Sequence, residues 1–300
     1  MIAVDWGTSS LRVYRLAGDG QVLDQRRSSE GALVSQGRFA SVLEGLLDGW
    51  DDSLVVMCGM VGGRGGWIEV PYVACPADAE ALAAGMIQLS PEQVGSSTLA
   101  ARRIWCCAGV SDRRQAQADV MRGEETQVAA LLDLLGSGVH RVCLPGTHSK
   151  WVTLVDGRIE RISTSMTGEV YGLLRQHSIL GRTMAEGEPV FDVDAFDAGL
   201  NEASEAGGLL HDLFAVRTAA LFARFSTEAL PSYLSGLLIG HELHPALALD
   251  PEASVHLLGS DALLERYSHA LARLGASSRN HREDLAAHGL FRLAQARGLA

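Results

Sequence analysis

The chain has 300 residues, 47% hydrophobic and 20% charged, a balance that excludes a disordered polymer and predicts a folded globular protein. Its 25 basic and 36 acidic residues give a net charge of −11, which argues against non-specific binding to a nucleic acid backbone. No apolar run approaches the roughly 18 residues of a membrane helix, and the N-terminus lacks a signal-peptide pattern. Five cysteines without a CxxC spacing indicate neither a disulfide framework nor a zinc site. We therefore expect a reduced, cytoplasmic protein.

Strands and helices are both predicted along the chain. The first part is predicted to contain strands 2–5, 11–16, 21–27, 54–58 and 103–108, helices 38–47 and 77–88, and a glycine-rich loop at 59–66. A polar stretch at 111–119 and a helix from residue 124 follow, and then the strand–polar turn–strand–tight turn–strand pattern of the N-terminus recurs at 139–163. The rest is predicted as helices 168–177, 193–203, 209–226, 230–244, 261–274 and 282–298, with one strand at 255–258. The recurrence suggests two structurally similar parts.

The first candidate motif is a polar turn at the end of the first strand, within DWGTSSLR (5–12). A carboxylate that ends a buried strand, here Asp5, can hold a magnesium ion through water. The turn that follows offers a backbone that can approach a phosphate, together with hydrogen-bond donors, and its residues are Gly7, Thr8, Ser9 and Ser10. A plain β-hairpin with a polar turn is the alternative.

The second candidate motif, PGTHSKW (145–151), repeats these ingredients at the start of the second hairpin. It offers Gly146, Thr147 and Lys150, which is the single lysine among 25 basic residues. Either a compact ammonium is required at this position, or the lysine survived by chance. Two such turns could together clamp the β- and γ-phosphates of a nucleotide.

The usual nucleotide-binding signatures are absent. The sequence has no GxxxxGK[ST] motif, which excludes a P-loop protein. The glycine-rich loop at 59–66 leads into a strand-like segment rather than a helix, which argues against a dinucleotide-binding fingerprint. With Gly62, Arg64 and Trp67, this loop fits a site that approaches a small anionic substrate, and a plain surface loop is the alternative.

A pair of carboxylates, Glu124 and Glu125, opens a predicted helix directly after a glycine in MRGEETQ (121–127). Acids in a first helical turn often only complement the helix dipole. The functional alternative is a general base facing a substrate hydroxyl, with Arg122 for an anionic group. Because adjacent helical residues point about 100° apart, we expect only one of the two acids to be catalytic.

Several segments resemble the 2-dehydro-3-deoxygalactonokinase family of actin-, hsp70- and hexokinase-type sugar kinases. They follow one another from end to end of the chain: 4–12, 58–77, 121–127, 145–152, 166–174 and 233–240. The resemblance implies an α/β fold with two ribonuclease-H-like (actin-like ATPase) domains around a central cleft that holds ATP and Mg²⁺. We expect the domains at 1–120 and 121–300, with the last helix packing back on the first.

The resemblance also implies transfer of the γ-phosphoryl group of ATP to the 6-hydroxyl of 2-dehydro-3-deoxy-D-galactonate, in galactonate catabolism. A kinase of the same fold for another sugar acid, such as 2-dehydro-3-deoxygluconate, is the first alternative, and a non-enzymatic ATP-binding module is the second. The expected partners are ATP and a keto-deoxy sugar acid, without nucleic acid or membrane. A homodimer is common among such enzymes.

The family's functional residues can be carried onto this chain. Asp5 would organise Mg²⁺, the two polar turns would meet the phosphates, and Gly259 and Ser260 would border the adenosine. Sugar kinases of this superfamily generally use an aspartate in a Gly-Asp pair at a helix start, where this chain has Gly-Glu. The candidates for the base are, in order of preference, Glu124, Glu125 and Asp112. The cations expected at the substrate carboxylate are Arg12, Arg64 and Arg122.

Overall fold

The computed structural model describes residues 1–203, 207–249, 254–281 and 285–300, which form a mixed α/β structure. The strands are β1 (Ile2–Trp6), β2 (Leu11–Leu16), β3 (Val22–Ser28), β4 (Leu54–Gly59), β5 (Val73–Ala74), β6 (Ile87–Gln88), β7 (Arg103–Cys106), β8 (Val110–Asp112), β9 (Asp119–Met121), β10 (Val139–Leu144), β11 (Ser149–Val155), β12 (Arg158–Ser165), β13 (Val255–Leu258) and β14 (Ser278–His281). The helices are α1 (Phe39–Leu46), α2 (Ala79–Ala84), α3 (Pro91–Val94), α4 (Ser97–Ala100), α5 (Glu124–Leu135), α6 (Thr167–His177), α7 (Val193–Glu202), α8 (Leu209–Leu221), α9 (Leu230–Ala248), α10 (Asp261–Arg273) and α11 (Leu285–Ala296). No helix in these ranges is long and apolar enough to cross a membrane.

Two larger sheets share one strand order. The first runs β3-β2-β1-β4-β7-β6, with β1, β2 and β3 antiparallel and β1, β4 and β7 parallel. The second runs β12-β11-β10-β13-β14, with β10, β13 and β14 parallel. If the strands of each sheet are counted along the chain, without the short edge strand β6, both sheets have the same spatial order. The third, second, first, fourth and fifth strands follow one another from edge to edge. The recurring sequence pattern is therefore a repeat of topology, as the ribonuclease-H-like expectation requires.

The core of the first sheet follows from its sequence. All six residues of β4, LVVMCG, are buried, as expected for a central strand that is covered on both faces. One face of this sheet packs against α1, which contributes Phe39, Val42 and Leu43 to the same apolar cluster as Val4 and Met57. The parallel pairing of β1 and β4 holds their carboxyl ends side by side, and the candidate site lies there.

The chain divides into two compact units, each described here by itself. The first unit comprises Met1–His140, Val152–Ser163 and Arg282–Ala300, and the second comprises Arg141–Trp151 and Thr164–His281. This division differs from the expected boundary at residue 120: the chain passes between the units within β10, β11 and β12, and again after β14. Helix α11 belongs to the first unit and packs against α5 and α2.

Some elements differ from the sequence-based expectation. The helix expected at 77–88 is shorter, since Gly85 caps α2 and β6 then pairs with β7. The polar stretch at 111–119 overlaps a small β5-β8-β9 sheet, in which the buried carboxylate of Asp112 is neutralised by Arg114. Helix α8 ends at Leu221, five residues before the expected end. The expected start of the last helix, 282–284, lies outside the described residues.

Candidate active site

In the first unit the candidate site begins with Asp5, near the carboxyl end of β1. Its side chain is 16% exposed. Cys58 is its register partner on β4, and the Cys58 thiol donates to Asp5 Oδ1 over 3.9 Å. Arg12 is its partner on β2 and places Nη1 3.6 Å from Asp5 Oδ2. The sheet register thus surrounds Asp5 with a cation and a weak donor.

The first polar turn (residues 7–10) follows β1 directly. Its backbone carbonyls are held from one side: Ala32 N–H donates to Gly7 O at 2.9 Å, and Leu33 N–H donates to Thr8 O at 3.3 Å. Gly31 permits this approach, because a Cβ there would lie 2.4 Å from Thr8 O. The exposed residues of the turn are Thr8, Ser9 and Ser10, so their donors remain accessible.

The glycine-rich loop (residues 59–66) is shaped by its own backbone. Gly59 has a φ of +94°, and a Cβ there would lie 2.4 Å from Trp6 O. A Cβ at Gly66 would lie 2.3 Å from Val61 O, and the N–H of Trp67 donates to that same carbonyl at 2.8 Å. These two glycines are therefore required because the backbone passes too close for a side chain. This requirement accounts for part of the glycine content that suggested a substrate loop.

Trp67 and Arg64, both expected at the substrate, have different surroundings. The Trp67 ring stacks on Phe39 with centroids 6.0 Å apart, and its indole N–H donates to Gln93 O at 3.0 Å. Trp67 is thus part of the aromatic packing beside the core. Arg64 is exposed on the loop.

Arg122 lies against the glycine-rich loop. Its guanidinium lies 4.3 Å from the Tyr72 ring centroid, and Nη2 donates to Val70 O at 2.6 Å. A Cβ on Gly62 would come within 3.1 Å of Arg122 Nη1, so the glycine leaves room for the cation. Both Nε and Nη1 are buried without a hydrogen-bond partner in the described part of the chain. Buried cationic donors left unpaired are costly, which points to an anionic partner.

The carboxylate pair lies at the start of α5, beside the end of β4. Gly123 has a φ of +109°, and a Cβ there would lie 3.2 Å from Gly59 Cα. Glu124 is partly exposed, and its Oε2 accepts from the backbone N–H of Arg122 at 3.1 Å. Glu125 is fully buried; its Oε2 accepts from Gly123 N–H at 2.6 Å, while Oε1 has no partner among the described residues.

Burial separates these two acids chemically. Burial, followed by the neighbouring charge of Glu124, raises the pKa of Glu125 to about 8. Glu125 is therefore mainly protonated at neutral pH, and it has no exposed surface through which to meet a substrate. Of the pair, only Glu124 reaches solvent.

Asp112, the third candidate base, is engaged elsewhere. It is buried at the end of β8, and Arg114 Nε donates to its Oδ1 at 3.0 Å. This hydrogen bond from Arg114 is the main reason that the pKa of Asp112 lies below its usual range. Arg114 also binds Glu160 at 2.7 Å. Asp112 thus belongs to a structural ion-pair network.

In the second unit, the second polar turn (residues 145–149) is supported by the start of α6. A Cβ at Gly168 would lie 2.3 Å from Gly146 O, and Glu169 N–H donates to Thr147 O at 2.9 Å. By contrast, the nearest atom to a Cβ at Gly146 would be His148 O, at 3.9 Å. One side of this turn is therefore packed, and the side of Gly146 is open.

The expected adenosine loop (residues 259–260) lies beside that turn. Strands β10 and β13 are parallel neighbours, so their carboxyl ends meet at one edge of the second sheet. A Cβ at Gly259 would lie 3.4 Å from Pro145 O. Ser260 is exposed and precedes α10 as its N-cap residue.

Lys150 is not an exposed cation. It is 7% exposed, and its Nζ donates to Thr164 Oγ1 at 2.9 Å, on the neighbouring strand β12. This placement does not support the expected contact with a phosphate, which stays a prediction. A residue count revealed that this lysine was unusual but could not tell which way its side chain points.

A buried polar network escaped the sequence analysis. Its centre is Glu242, on the mostly apolar helix α9, and it reaches the second polar turn. Its members are Ser149, Trp151, Thr167, Glu242 and Tyr267. A single carboxylate within the apolar run YLSGLLIGHEL was the signal that could have revealed it.

No group of three or more His, Cys, Asp or Glu side chains that could hold a metal occurs within the described ranges. A magnesium ion that keeps most of its water needs only one or two carboxylates from the protein. Asp5, partly exposed beside the first polar turn, is a donor of that kind.

Comparison with solved structures agrees with the fold. The crystal structure of a 2-dehydro-3-deoxygalactonokinase protein from Sinorhizobium meliloti has a TM-score of 0.89 and 37% identity, over 98% of this chain and 96% of that one. The activator of 2-hydroxyisocaproyl-CoA dehydratase from Clostridium difficile, solved with bound ADPNP, has a TM-score of 0.54 at 14% identity, over 99% and 96% of the two chains. The chain is thus a kinase of the two-domain actin-like ATPase fold.

Sequence comparison defines the family. Residues 5–293 match the family described as 2-keto-3-deoxy-galactonokinase. A Rhizobium meliloti protein named "probable 2-dehydro-3-deoxygalactonokinase" is 38% identical, over 92% of this chain and 90% of that protein. The Escherichia coli 2-dehydro-3-deoxygalactonokinase is 34% identical, over 91% and 90% of the two chains. This chain belongs to the 2-keto-3-deoxy-galactonokinase family and is an ATP-using sugar-acid kinase, which confirms the family resemblance.

Proposed function

We propose that this enzyme transfers the γ-phosphoryl group of ATP to the 6-hydroxyl of 2-dehydro-3-deoxy-D-galactonate, in galactonate catabolism in the cytoplasm. The observation that carries the proposal is the convergence around the ends of β1 and β4. There a strand-end carboxylate, an exposed polar turn, a partly exposed acid and a guanidinium with two unsatisfied donors belong to one unit. These groups match the needs of a phosphate, an acceptor hydroxyl and a substrate carboxylate.

Asp5 and the two polar turns would bind the phosphates and Mg²⁺. Asp5 would hold the ion through water, since it is a partly exposed carboxylate at a strand end. When bound, the ion neutralises charge on the transferring phosphoryl group. The backbone and hydroxyl donors of residues 7–10 and 146–147 would bind phosphate oxygens, and residues 259–260 would border the adenosine.

Glu124 would act as the base. Its carboxylate, partly exposed at the start of α5, would orient the 6-hydroxyl of the sugar acid and accept its proton. The oxygen of that hydroxyl forms the new bond to the γ-phosphorus as the bond to the β-phosphate oxygen breaks, which releases ADP. Most of the acceleration would come from positioning and charge neutralisation, as in other phosphoryl transfers.

Arg122 would bind the substrate carboxylate. Its side chain is partly exposed, and a shift of the guanidinium towards the open side would present Nε and Nη1, which have no hydrogen-bond partner among the described residues, to this anion. Arg64 is exposed on the same loop and could assist, whereas Arg12 lies beside Asp5. Because the chain has a net charge of −11, it needs local cations of this kind to attract an anion.

The test is coupled ADP release with MgATP and three acceptors: 2-dehydro-3-deoxygalactonate, its gluconate-derived C4 epimer and D-galactonate. Turnover with the first alone is the expected result. Equal rates with both epimers would broaden the substrate to keto-deoxy sugar acids in general. Folded protein that binds ATP but turns over none of the three would refute the proposed substrate.

The two arginines can be separated by kinetics. Replacing Arg122 with Lys should raise KM for the sugar acid about tenfold, because an ammonium cannot reproduce a planar fork of donors. KM for ATP should stay within twofold. The matched variant Arg64→Lys should change KM for the sugar acid less, and the reverse order would assign the carboxylate to Arg64.

A further inference from the structure

We propose that Glu242 is a positioning residue for nucleotide binding: it holds the second polar turn and the start of α10 in place. This inference rests on the proposed function, which assigns those segments to ATP. Glu242 would not touch the nucleotide, because it is 6% exposed and enclosed by α6, α9, α10 and β11.

Three side chains from three elements donate to this one carboxylate. Trp151 Nε1, on β11, donates to Oε1 at 2.8 Å, while Tyr267 OH, on α10, donates to Oε2 at 2.7 Å. The hydroxyl of Thr167, the first residue of α6, also donates to Oε2. Because Tyr267 gives its proton to Glu242, the 2.9 Å bond between Ser149 and Tyr267 has Ser149 as its donor. A directed chain therefore runs from Ser149 through Tyr267 to Glu242.

Each donor lies on an element that adjoins, or packs against, a segment that the proposal assigns to ATP. Ser149 closes the second polar turn, and Trp151 follows two residues later. Thr167 precedes Gly168, whose backbone packs within van der Waals distance of Gly146 and leaves no room for a Cβ. Tyr267 lies on α10, the helix that begins directly after Ser260. A single buried acceptor thus ties both flanks of the turn to the helix behind the expected adenosine loop.

The acceptor oxygens of Glu242 cannot be removed without loss. Methionine is close to glutamate in volume but offers no comparable acceptor, so the donors of Trp151, Thr167 and Tyr267 would all lose their partner. A buried donor without an acceptor shifts its element or leaves the site. We therefore expect the substitution to displace the turn, while the groups of the first unit that are assigned to the sugar acid are unaffected.

The experiment compares Glu242→Met with the unaltered enzyme by direct binding of a non-hydrolysable ATP analogue and by steady-state kinetics. We expect Kd for the analogue and KM for ATP to rise at least fivefold, with KM for the sugar acid within twofold. Unchanged Kd and KM for ATP in the folded variant would overturn the inference. An equal rise of both KM values would also overturn it, since it would indicate a general structural defect.

The matched control is Asp212→Leu, which also replaces a buried carboxylate by an apolar side chain of similar size. Asp212 is also a buried carboxylate of the second unit, and it binds His241 Nε2 on the same helix α9 at 2.8 Å, outside this network. This control variant should change Kd for the analogue and KM for ATP less than twofold. If Glu242→Met does not fold, Tyr267→Phe removes the Ser149–Tyr267–Glu242 chain with little change in volume, and the same expectations apply to it. Binding of the ATP analogue requires no sugar acid, so the binding test stays valid even if the proposed substrate is incorrect. An unaltered enzyme that binds no nucleotide would refute the proposed function as well.

Discussion

Two adjacent glutamates at the start of α5 have opposite environments. Glu125 turns into the protein, where it is fully buried, while Glu124 stays partly exposed. The angle of about 100° between neighbouring helical side chains accounts for this difference. A carboxyl group without exposed surface cannot meet a sugar hydroxyl, so we assign the two residues different roles.

Replacing Glu124 with Gln should lower kcat by about 10²-fold or more, the effect typical of losing a general base. The amide preserves the shape and one acceptor but cannot take a proton. Steady-state ADP release with the sugar acid measures the effect, and circular dichroism checks the fold.

Glu125→Gln is the matched control for this prediction. Its amide oxygen can still accept from Gly123 N–H, so kcat should fall by less than tenfold. If Glu125→Gln inactivates the enzyme and Glu124→Gln does not, the assignment of the base is reversed.

Glu125 should also make stability depend on pH. Its pKa is raised from 4.5 to about 8 in the folded protein, so between these values the folded state keeps a proton that the unfolded state has released. Its contribution to stability is therefore fully present below about pH 4.5 and is lost as pH rises towards 8. Urea unfolding at several pH values measures this effect. As pH rises, the free energy of unfolding of the wild type should fall by up to roughly 1 kcal/mol per pH unit relative to that of Glu125→Gln. Parallel curves for the two proteins would contradict this.

At the level of elements, the loop after β4 depends on a glycine at its first residue. Gly59→Ala should lower the free energy of unfolding by about 2 kcal/mol or more, because φ is +94° and the new Cβ would meet Trp6 O at 2.4 Å. Chemical denaturation measures the change.

Gly45→Ala, on α1, is the control for this substitution. Nothing lies within 4 Å of a Cβ at Gly45, so alanine should stabilise the helix by about 0.5–1 kcal/mol. Equal effects of the two substitutions would show that the tight contact at Gly59 is not limiting.

Elements with strong hydrophobic patterns were predictable from the sequence, and short ones were not. The apolar run of β4 and the two hairpins were expected close to their observed bounds. Strands β5, β8 and β9 were missed, because each has three residues or fewer and β8 contains the buried Asp112. Local donors from Arg114 and Gln115, which hydrophobic periodicity does not reveal, make that burial tolerable.

At the level of the whole molecule, the C-terminal helix supports the candidate base. Helix α11 packs against α5, and a Cβ at Gly289 would lie far inside contact distance of Thr126 O. Gly289→Val should therefore lower Tm by several degrees and reduce kcat, since α5 carries Glu124 in its first turn.

Gly18→Ala is the control for Gly289→Val, because nothing lies within 4 Å of a Cβ at Gly18. Its Tm should stay within about 2 °C of the wild type, as for most surface substitutions. A Tm for Gly289→Val that matches this control would mean that α11 does not support α5. Calorimetry of both variants measures the difference.

The sequence by itself determined the repeated hairpins, the central strands, the polar turns and the family, since each depends on local pattern or on contiguous motifs. Tertiary structure decided which chemically suitable side chains are available. It buried Glu125 and Lys150, paired Arg114 with Glu160 and left Arg122 with two donors that have no partner among the described residues. It also assembled the network of Glu242 from segments far apart in the chain. The physical reason is that pattern encodes the period of a strand or helix, whereas exposure and hydrogen-bond partners depend on which distant elements pack against it.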